Sequence, residues 1–350
     1  MKKTVPEEDF EFIVNSVSGW EHFEGKTVLI AGANGFLPAY MLETLLYLND
    51  KKPLNRVKVI GMVRDMERGR ARFAVRQGRN DLLLIEHDVN KPVSLEGPVD
   101  YIIHAASQAS PKYFGSDPVG TLAANVLGTH NLLTLAREKR SEGFLFFSSG
   151  EVYGRLAEGQ IPTKEEWYGY IDPLEVRSCY GESKKMGETM CAAWQHQYGV
   201  PAKIVRPFHT YGPGMRLDDG RVFADFVADV VNGRDIVMKS DGSAKRAFCY
   251  LSDATAGYFT VLLKGNNGEA YNIGNDRAEA TILELANIIV NLAPGGGLKV
   301  ITAPAREDSS YLKSSISRTC PDISRARALG WEPRYDIKAG FERTLRSFLE

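Results

Sequence analysis

Tyr180 and Lys184 stand four residues apart in Tyr180-Gly181-Glu182-Ser183-Lys184. On a helix, positions i and i+4 share a face. A lysine ammonium beside a phenol favours the phenolate and draws it below its usual value near ~10. Tyr180 is therefore predicted to be a general base toward a substrate hydroxyl. Such a pair often arises by chance, so its neighbours decide. Ser148-Ser149-Gly150-Glu151-Val152-Tyr153-Gly154 follows one apolar run, His104-Ala105-Ala106-Ser107 follows an earlier one, and Asn125 lies between them.

A second constellation lies upstream. Val28-Leu29-Ile30-Ala31-Gly32-Ala33-Asn34-Gly35-Phe36-Leu37-Pro38 reads as a buried strand, a glycine turn and a helix start. Gly32 permits the tight turn, Gly35 lets backbone approach a pyrophosphate, and the helix N-terminus offers free N–H groups to the anion. Gly32, Asn34, Gly35, Phe36 and Leu37 are the loop residues expected against a dinucleotide. Pro38 occupies the usual place of a third glycine or alanine, where its missing N–H costs no hydrogen bond. After the second strand, Asp65 is placed to bind the ribose hydroxyls of NAD, whereas Arg64 suits a 2′-phosphate or adenine. The sequence leaves NAD against NADP open. Asp88, after the third strand, is a candidate for the adenine edge.

These residues need a scaffold that brings loop ends together. Apolar runs at Thr27–Ala31, Val57–Val63, Leu82–Glu86, Tyr101–Ala105, Phe144–Ser148 and Lys203–Arg206 alternate with helical stretches. The alternation predicts an α/β fold, a Rossmann-type doubly wound parallel sheet with helices on both faces. Ligands bind such sheets at the C-terminal strand ends, where the chemistry-bearing residues cluster. Three parts are expected. An N-terminal helix fills 1–24, with Phe10, Ile13, Val14, Val17, Trp20 and Phe23 at helical spacing over 9–23. A dinucleotide-binding domain follows over 25–206, with a returning segment near 240–275. A smaller C-terminal substrate lobe occupies mainly 207–350, with helices near 221–233, 254–264 and 281–293.

Bulk properties exclude several classes. The chain has 350 residues, 43% hydrophobic and 25% charged, with a net charge of −1. That balance argues against nucleic acid or an anionic membrane as partner. The basic stretch Arg64 to Arg72 lacks interleaved aromatics for base stacking and reads as a solvated helix face. Cys179, Cys191, Cys249 and Cys320 show no CxxC spacing, which disfavours a zinc site or disulfide framework and fits a cytoplasmic protein. No metal is expected. No apolar run approaches the ~18 residues of a membrane span, and the acidic N-terminus is unlike a signal peptide.

Taken together, these motifs resemble the extended short-chain dehydrogenase/reductases of the nucleotide-sugar epimerase/dehydratase group. Within it the chain is most similar to the UDP-glucuronate decarboxylases. The likeness is carried by Ser107 to Tyr113, Asp117-Pro118, Asn125 to Thr129, Ser148 to Gly154, Arg177 to Lys184, Asp219 to Val222, Lys245 to Phe248 and Pro321 to Ile323. It implies NAD as cofactor and a nucleotide-sugar as substrate. It implies that Tyr180 takes the proton of the sugar C4 hydroxyl while Ser149 holds that oxygen. Lys184 lowers the tyrosine pKa, and hydride passes from C4 to the nicotinamide. A C6 carboxylate beside the 4-keto group becomes a β-keto acid able to lose CO2, with Glu151 acting near C5. Hydride return to C4 would leave the cofactor unconsumed. The likeness adds Val89, Ala105, Ala106, Ser107, Asn125 and Pro207 to the cofactor set. It assigns Ser110, Pro111, Tyr113, Ser149, Gly150, Glu151, Arg177, His209, Arg221, Val222, Arg246 and Arg318 to the substrate. A homodimer built on helices near 118–138 and 180–198 is also implied.

Three departures mark a subgroup with its own substrate. Gly150 stands where the decarboxylases carry serine and the 4,6-dehydratases an aspartate acid. His209 replaces a common substrate-binding asparagine, and Pro38 is the third. The alternatives are a nucleotide-sugar 4- or 5-epimerase, a 4,6-dehydratase, a net dehydrogenase or reductase, and a dinucleotide sensor that lost its chemistry. Blander readings stand beside these. Glu151, Arg246 and Arg318 could be plain ion-pair partners, His104 and His209 satisfied hydrogen-bonding residues, and Tyr153 and Phe208 core. The loops at 108–115, 155–175 and 209–222 would choose the substrate.

Overall fold

The computed structural model describes residues 3–52, 56–302 and 316–350. Its strands are β1 (Thr27–Ala31), β2 (Lys58–Val63), β3 (Leu82–Glu86), β4 (Tyr101–His104), β5 (Gly143–Phe147), β6 (Ala202–Pro207), β7 (His209–Tyr211), β8 (Ile236–Met238), β9 (Lys245–Tyr250), β10 (Ala270–Ile273), β11 (Glu279–Thr281), β12 (Val300–Thr302) and β13 (Arg318–Thr319). The helices are α1 (Val5–Ser16), α2 (Phe36–Lys51), α3 (Met66–Arg72), α4 (Pro111–Ser116), α5 (Pro118–Lys139), α6 (Ser178–Tyr198), α7 (Val222–Val231), α8 (Leu251–Lys264), α9 (Ile282–Asn291), α10 (Ser324–Ala328) and α11 (Ile337–Leu349).

Seven strands form one sheet in the order β10-β6-β5-β4-β1-β2-β3, and every neighbouring pair is parallel. This is the doubly wound arrangement that the alternating runs predicted. Successive side chains on a strand point to opposite faces. Val28, Ile30, Ile103, Leu145 and Phe147 enter a core shared with α1, α2 and α8. Leu29, Ala31, Ile102, Phe144 and Phe146 enter the core beneath α5 and α6. Because both faces are covered, the strands read as unbroken apolar runs.

A smaller sheet joins β11, β9, β13 and β7. Phe248 and Tyr250 of β9 pack into a separate core with α7, α9 and α11. Cys249, between them, packs into the main core. One strand therefore feeds both cores. The chain then returns to the large sheet, since α8 lies against it and β10 pairs with β6.

The predicted helix over 9–23 needs correction. Helix α1 spans Val5–Ser16, opened by a capping box between Thr4 and Glu7. Val17 is extended, Gly19 adopts φ +95°, and Trp20–Phe23 form a separate 3-10 turn. The chain leaves the helix at Val17, and the left-handed Gly19 then turns it into the 3-10 segment. The periodicity misleads because Val17, Trp20 and Phe23 enter the same core as Phe10 and Ile13 without sharing their helix.

Among the described residues, no helix is long and apolar enough to cross a membrane, and no His, Cys, Asp or Glu cluster could hold a metal ion. The four cysteines are free and buried.

Asp9 on α1 is fully buried. It accepts hydrogen bonds from the Tyr40 and Tyr250 hydroxyls, each at 2.7 Å. Arg343 of α11 donates to its other oxygen at 2.7 Å. Burial pushes the Asp9 carboxyl upward, opposed by Arg343 and the two phenols. Removing one partner of a buried pair strands the other charge and costs about 3–5 kcal/mol. Asp9→Ala is therefore expected to lower unfolding stability by about 3 kcal/mol or more. Urea titration checks this, and a loss below about 1 kcal/mol would refute the pinning role.

Candidate active site

The C-terminal ends of β1, β4, β5 and β6 open on one side of the large sheet. Ser149 follows β5 in extended conformation and caps a 3-10 turn over Gly150–Tyr153, its hydroxyl accepting from the Glu151 N–H at 3.1 Å. Helix α6 brings Tyr180 opposite, near enough for the Ser149 hydroxyl to favour the ionised phenol. Lys184, one turn further, is 2% exposed. Its ammonium donates to the Phe147 carbonyl, the last of β5, at 2.6 Å, and lies 5.7 Å from the centre of the Tyr180 ring. Phe114 of α4 stacks on that ring at 4.8 Å and 17°. Ser149, Tyr180 and Lys184 thus meet at the sheet edge.

The electrostatics differ from the expectation of a lowered Tyr180 pKa. Burial raises the phenol, opposed by the Ser149 hydrogen bond and the Arg221 charge. The same burial lowers Lys184 to about 7, opposed by Glu188. Desolvation penalises the charged form of each group. Burial outweighs the opposing interactions at both groups.

Glu151 is engaged by Arg177, whose guanidinium donates to it at 3.0 Å. Arg177 also lies over the Phe114 ring at 5.9 Å, so the pair borders the Tyr180 site. Ser110 caps α4, which begins with Pro111, and its hydroxyl donates to the Asp219 carbonyl at 2.5 Å. Tyr113 lies on α4 beneath the Lys112 ammonium. Arg221, the residue before Val222 and α7, donates to the Ala109 carbonyl at 3.1 Å. The loops around 108–113 and 216–222 are thereby tied together.

His209 begins β7 with its Nδ1 buried and without a hydrogen-bond partner. Burial, then Arg246 and Arg221, push this ring down to about 3, so it is neutral at physiological pH. His104 is likewise held near 3 by burial and bonds Thr129 at 3.1 Å. Arg246 on β9 donates to the Ile316 and Ser317 carbonyls. Arg318 on β13 holds Glu279 through two bonds, at 2.6 and 2.9 Å. Arg318 and Gly150 line one cleft of roughly 250 Å3, and Tyr153 and Phe208, though mostly buried, line it too.

The loop after β1 fits a dinucleotide. Gly32 adopts φ +79°, and a Cβ there would meet the Ala106 Cα at 2.7 Å. Only glycine lets this turn lie so close to the Ala105-Ala106 backbone. Helix α2 starts after Gly35 with no side chain capping it, so its first amides, at Phe36 and Leu37 beside Asn34, face outward for an anion. The Ser107 hydroxyl and the Asn125 Oδ1 are buried and have no hydrogen-bond partner among the described residues. Asn125 donates its amide to Ser183 at 2.9 Å, whose hydroxyl reaches the Tyr180 carbonyl.

At the end of β2, Asp65 caps α3 by accepting from the Arg68 N–H at 3.0 Å, while Arg64 is exposed. Asp88 accepts from the Asn90 N–H within its own turn, and Val89 beside it is buried. Pro207 ends β6.

Several supports were not foreseen. Phe114 gave no sequence signal. Glu188 did, since Tyr180, Lys184 and Glu188 recur every four residues on one face of α6. Glu188 accepts two bonds from buried Arg206, at 2.8 and 2.6 Å, and one from Ser148. That network fixes the β5 end against β6.

Gly32→Ala is expected to cut dinucleotide affinity at least tenfold, read by fluorescence titration; unchanged affinity would refute the close approach. Lys184 supplies a pH test. Its folded value lies below its usual 10.5, so the unfolded chain holds more protons between the two, and stability rises with pH across that window. The stability difference between the wild type and Lys184→Met should grow in favour of the wild type from pH 7 to 9.5; a flat difference would count against the buried amine.

Comparison with known proteins agrees with this geometry. Residues 28–274 match the model of the NAD dependent epimerase/dehydratase family. UDP-glucuronic acid decarboxylase 3 of Arabidopsis thaliana is 35% identical over 322 residues, covering 89% of this chain and 86% of that protein. UDP-glucuronic acid decarboxylase 1 of Xenopus tropicalis is 33% identical over 325 residues, covering 92% and 72%. UDP-glucuronic acid 4-epimerase from Bacillus cereus, solved with UDP-glucuronic acid and NAD, shares the fold at TM-score 0.72 and 21% identity, covering 92% and 99%. An epimerase from Methanothermobacter thermautotrophicus shares it at TM-score 0.79 and 23% identity, covering 97% and 96%. The chain is therefore an enzyme of the NAD dependent epimerase/dehydratase family, with NAD as its cofactor.

Proposed function

We propose that this enzyme oxidises C4 of a nucleotide-sugar to a 4-keto sugar, and that it acts as a UDP-glucuronate decarboxylase-like lyase. The observation that carries this reading is the meeting of Ser149, Tyr180 and Lys184 at the strand ends, beside the Gly32 loop. The curated relatives that cover most of the chain are decarboxylases.

In this mechanism Ser149 holds the C4 oxygen and Tyr180 takes its proton. Lys184, fixed by the Phe147 carbonyl, favours the phenolate that accepts this proton. NAD, when bound at the Gly32 loop, supplies the acceptor for the C4 hydride. A C6 carboxylate then stands β to the new carbonyl, and its carbon–carbon bond breaks with the electron pair moving into that carbonyl. Glu151, oriented by Arg177, faces the sugar near C5. Arg246 meets the diphosphate, Arg221 lies near the nucleotide, and Arg318 reaches the sugar or its phosphate.

Gly150 favours a second reading, a 4-epimerase. It places neither hydroxyl nor acid beside C5 and C6, which also weakens a dehydratase reading. Incubation with UDP-glucuronate and NAD, followed by mass spectrometry, separates them. Loss of CO2 to a UDP-pentose or its 4-keto form supports the decarboxylase. An unchanged mass removes it and favours the epimerase. Tyr180→Phe should lower turnover ~100- to 10,000-fold, the usual worth of a general base, while substrate still binds. Full activity in that variant would refute the assigned base.

The assembly belongs to the same proposal. Helices α5 and α6 pack side by side and leave Val119, Leu122, Leu127 and Met186 exposed. A second copy of the chain covers this face as a four-helix interface. Sedimentation should give a dimer at micromolar concentration, and Leu127→Glu a monomer. A wild-type monomer would sink the interface.

A further inference from the structure

The turn that carries Ser149 and Glu151 holds itself weakly. Gly150–Tyr153 is a single 3-10 turn, a conformation whose hydrogen bonds are poorer than those of an α-helix. Its backbone bonds, from the Val152 N–H to the Ser149 carbonyl and from the Gly154 N–H to the Glu151 carbonyl, are 3.3 and 3.2 Å long. These lie at or beyond the long end of the ordinary range. Yet the reaction proposed above asks this turn to keep two groups in register, a hydroxyl at C4 and a carboxylate near C5. Rates fall steeply when such groups are misplaced. The turn must therefore be held from outside.

One ion pair reaches both of its ends. Glu188 of α6 and Arg206 of β6 are mostly buried and join through two bonds, at 2.8 and 2.6 Å. Before the turn, the Ser148 N–H bonds the Val205 carbonyl at 2.8 Å, and the buried Ser148 hydroxyl donates to Glu188. At the end of the turn, Arg206 donates to the Tyr153 hydroxyl at 2.8 Å, and that hydroxyl donates to the Asn272 Oδ1 at 2.6 Å. A further Arg206 bond, to the Glu165 carbonyl at 2.8 Å, holds the guanidinium in place. A guanidinium and a carboxylate joined by two bonds fix direction as well as distance. The pair is thus a rigid crossbar between residues 148 and 153, and Ser149 and Glu151 lie on the span between them.

We propose that the Glu188–Arg206 pair positions the turn for C4 oxidation, acting through the hydroxyls of Ser148 and Tyr153. All four are positioning residues. They act through Ser149 and Glu151 and not on the sugar, so losing a hydroxyl should slow the chemistry and spare binding. The inference rests on the nucleotide-sugar reading of the site and adds to it the residues that keep its β5 side in register.

The test removes one hydroxyl at each end and strands no charge. NAD-loaded wild type, Ser148→Ala and Tyr153→Phe are each mixed with UDP-glucuronate by stopped flow. The absorbance of the NADH formed gives the saturating rate of C4 oxidation and the half-saturating sugar concentration. Each variant should lower the rate about tenfold or more and leave half-saturation within about twofold. Ser141→Ala is the control, because it removes another buried hydroxyl bond, to the Val99 carbonyl, before the opposite end of β5. It should leave both constants as in the wild type. Circular dichroism shows which proteins are folded, and either positioning variant decides the matter if the other is not. Unchanged rates, a change confined to half-saturation, or an equal loss of rate in Ser141→Ala would overturn the inference and leave the nucleotide-sugar reading standing. No NADH from the wild type would overturn the UDP-glucuronate reading and this inference with it.

Discussion

A buried lysine held by one backbone carbonyl organises the reaction centre. Lys184 is almost wholly removed from water, and its bond to the Phe147 carbonyl joins α6 to the last residue of β5. That joint sets Tyr180 against Ser149, two residues beyond Phe147. Burying an amine is costly unless it is hydrogen-bonded, so α6 cannot slide along the sheet without stranding it. The Glu188–Arg206 pair repeats the constraint one turn later, tying the same helix to β6. Position at this centre therefore comes from the helix–sheet packing, and loops are left free to vary with the substrate.

The same burial explains why the ground state is not yet poised for proton abstraction. It raises the phenol and lowers the amine, the reverse of what a Tyr–Lys pair in water would do. A phenol held protonated by desolvation must release its own proton before it can accept one from a hydroxyl, and a cation brought beside it would favour that release.

Much of this was legible in the sequence, and for identifiable reasons. The parallel sheet showed because both-face burial writes apolar runs that turn residues then punctuate. Tyr180 and Lys184 showed because one helix face repeats every four residues, and the same rule reaches Glu188. Long-range partners were not legible. Nothing local says that Phe114 stacks on Tyr180, that Asp9 meets Arg343 across the whole chain, or that Arg318 meets Glu279. The N-terminal helix reads too long because the chain leaves it at Val17 while the side chains beyond keep feeding one core.

The second lobe is anchored to the large sheet through one strand. Strand β9 sends Phe248 and Tyr250 into the lobe core and Cys249 into the main core, so the strand that carries Arg246 cannot shift independently of the sheet. Its neighbour β13 sets Arg318, and β7 sets His209, on the same small sheet. His209 is held neutral beside two arginines. A neutral imidazole can donate or accept one hydrogen bond but adds no third positive charge beside Arg221 and Arg246. Exchanging an asparagine amide for this ring keeps that hydrogen-bonding capacity while setting an aromatic surface against Phe248. The departures at positions 150 and 209 therefore act in different places: Gly150 lines the cleft with Phe208, and His209 packs its ring against Phe248 on the small sheet. Neither exchange changes Ser149, Tyr180 or Lys184, so the surroundings of that centre can vary while the centre itself is kept.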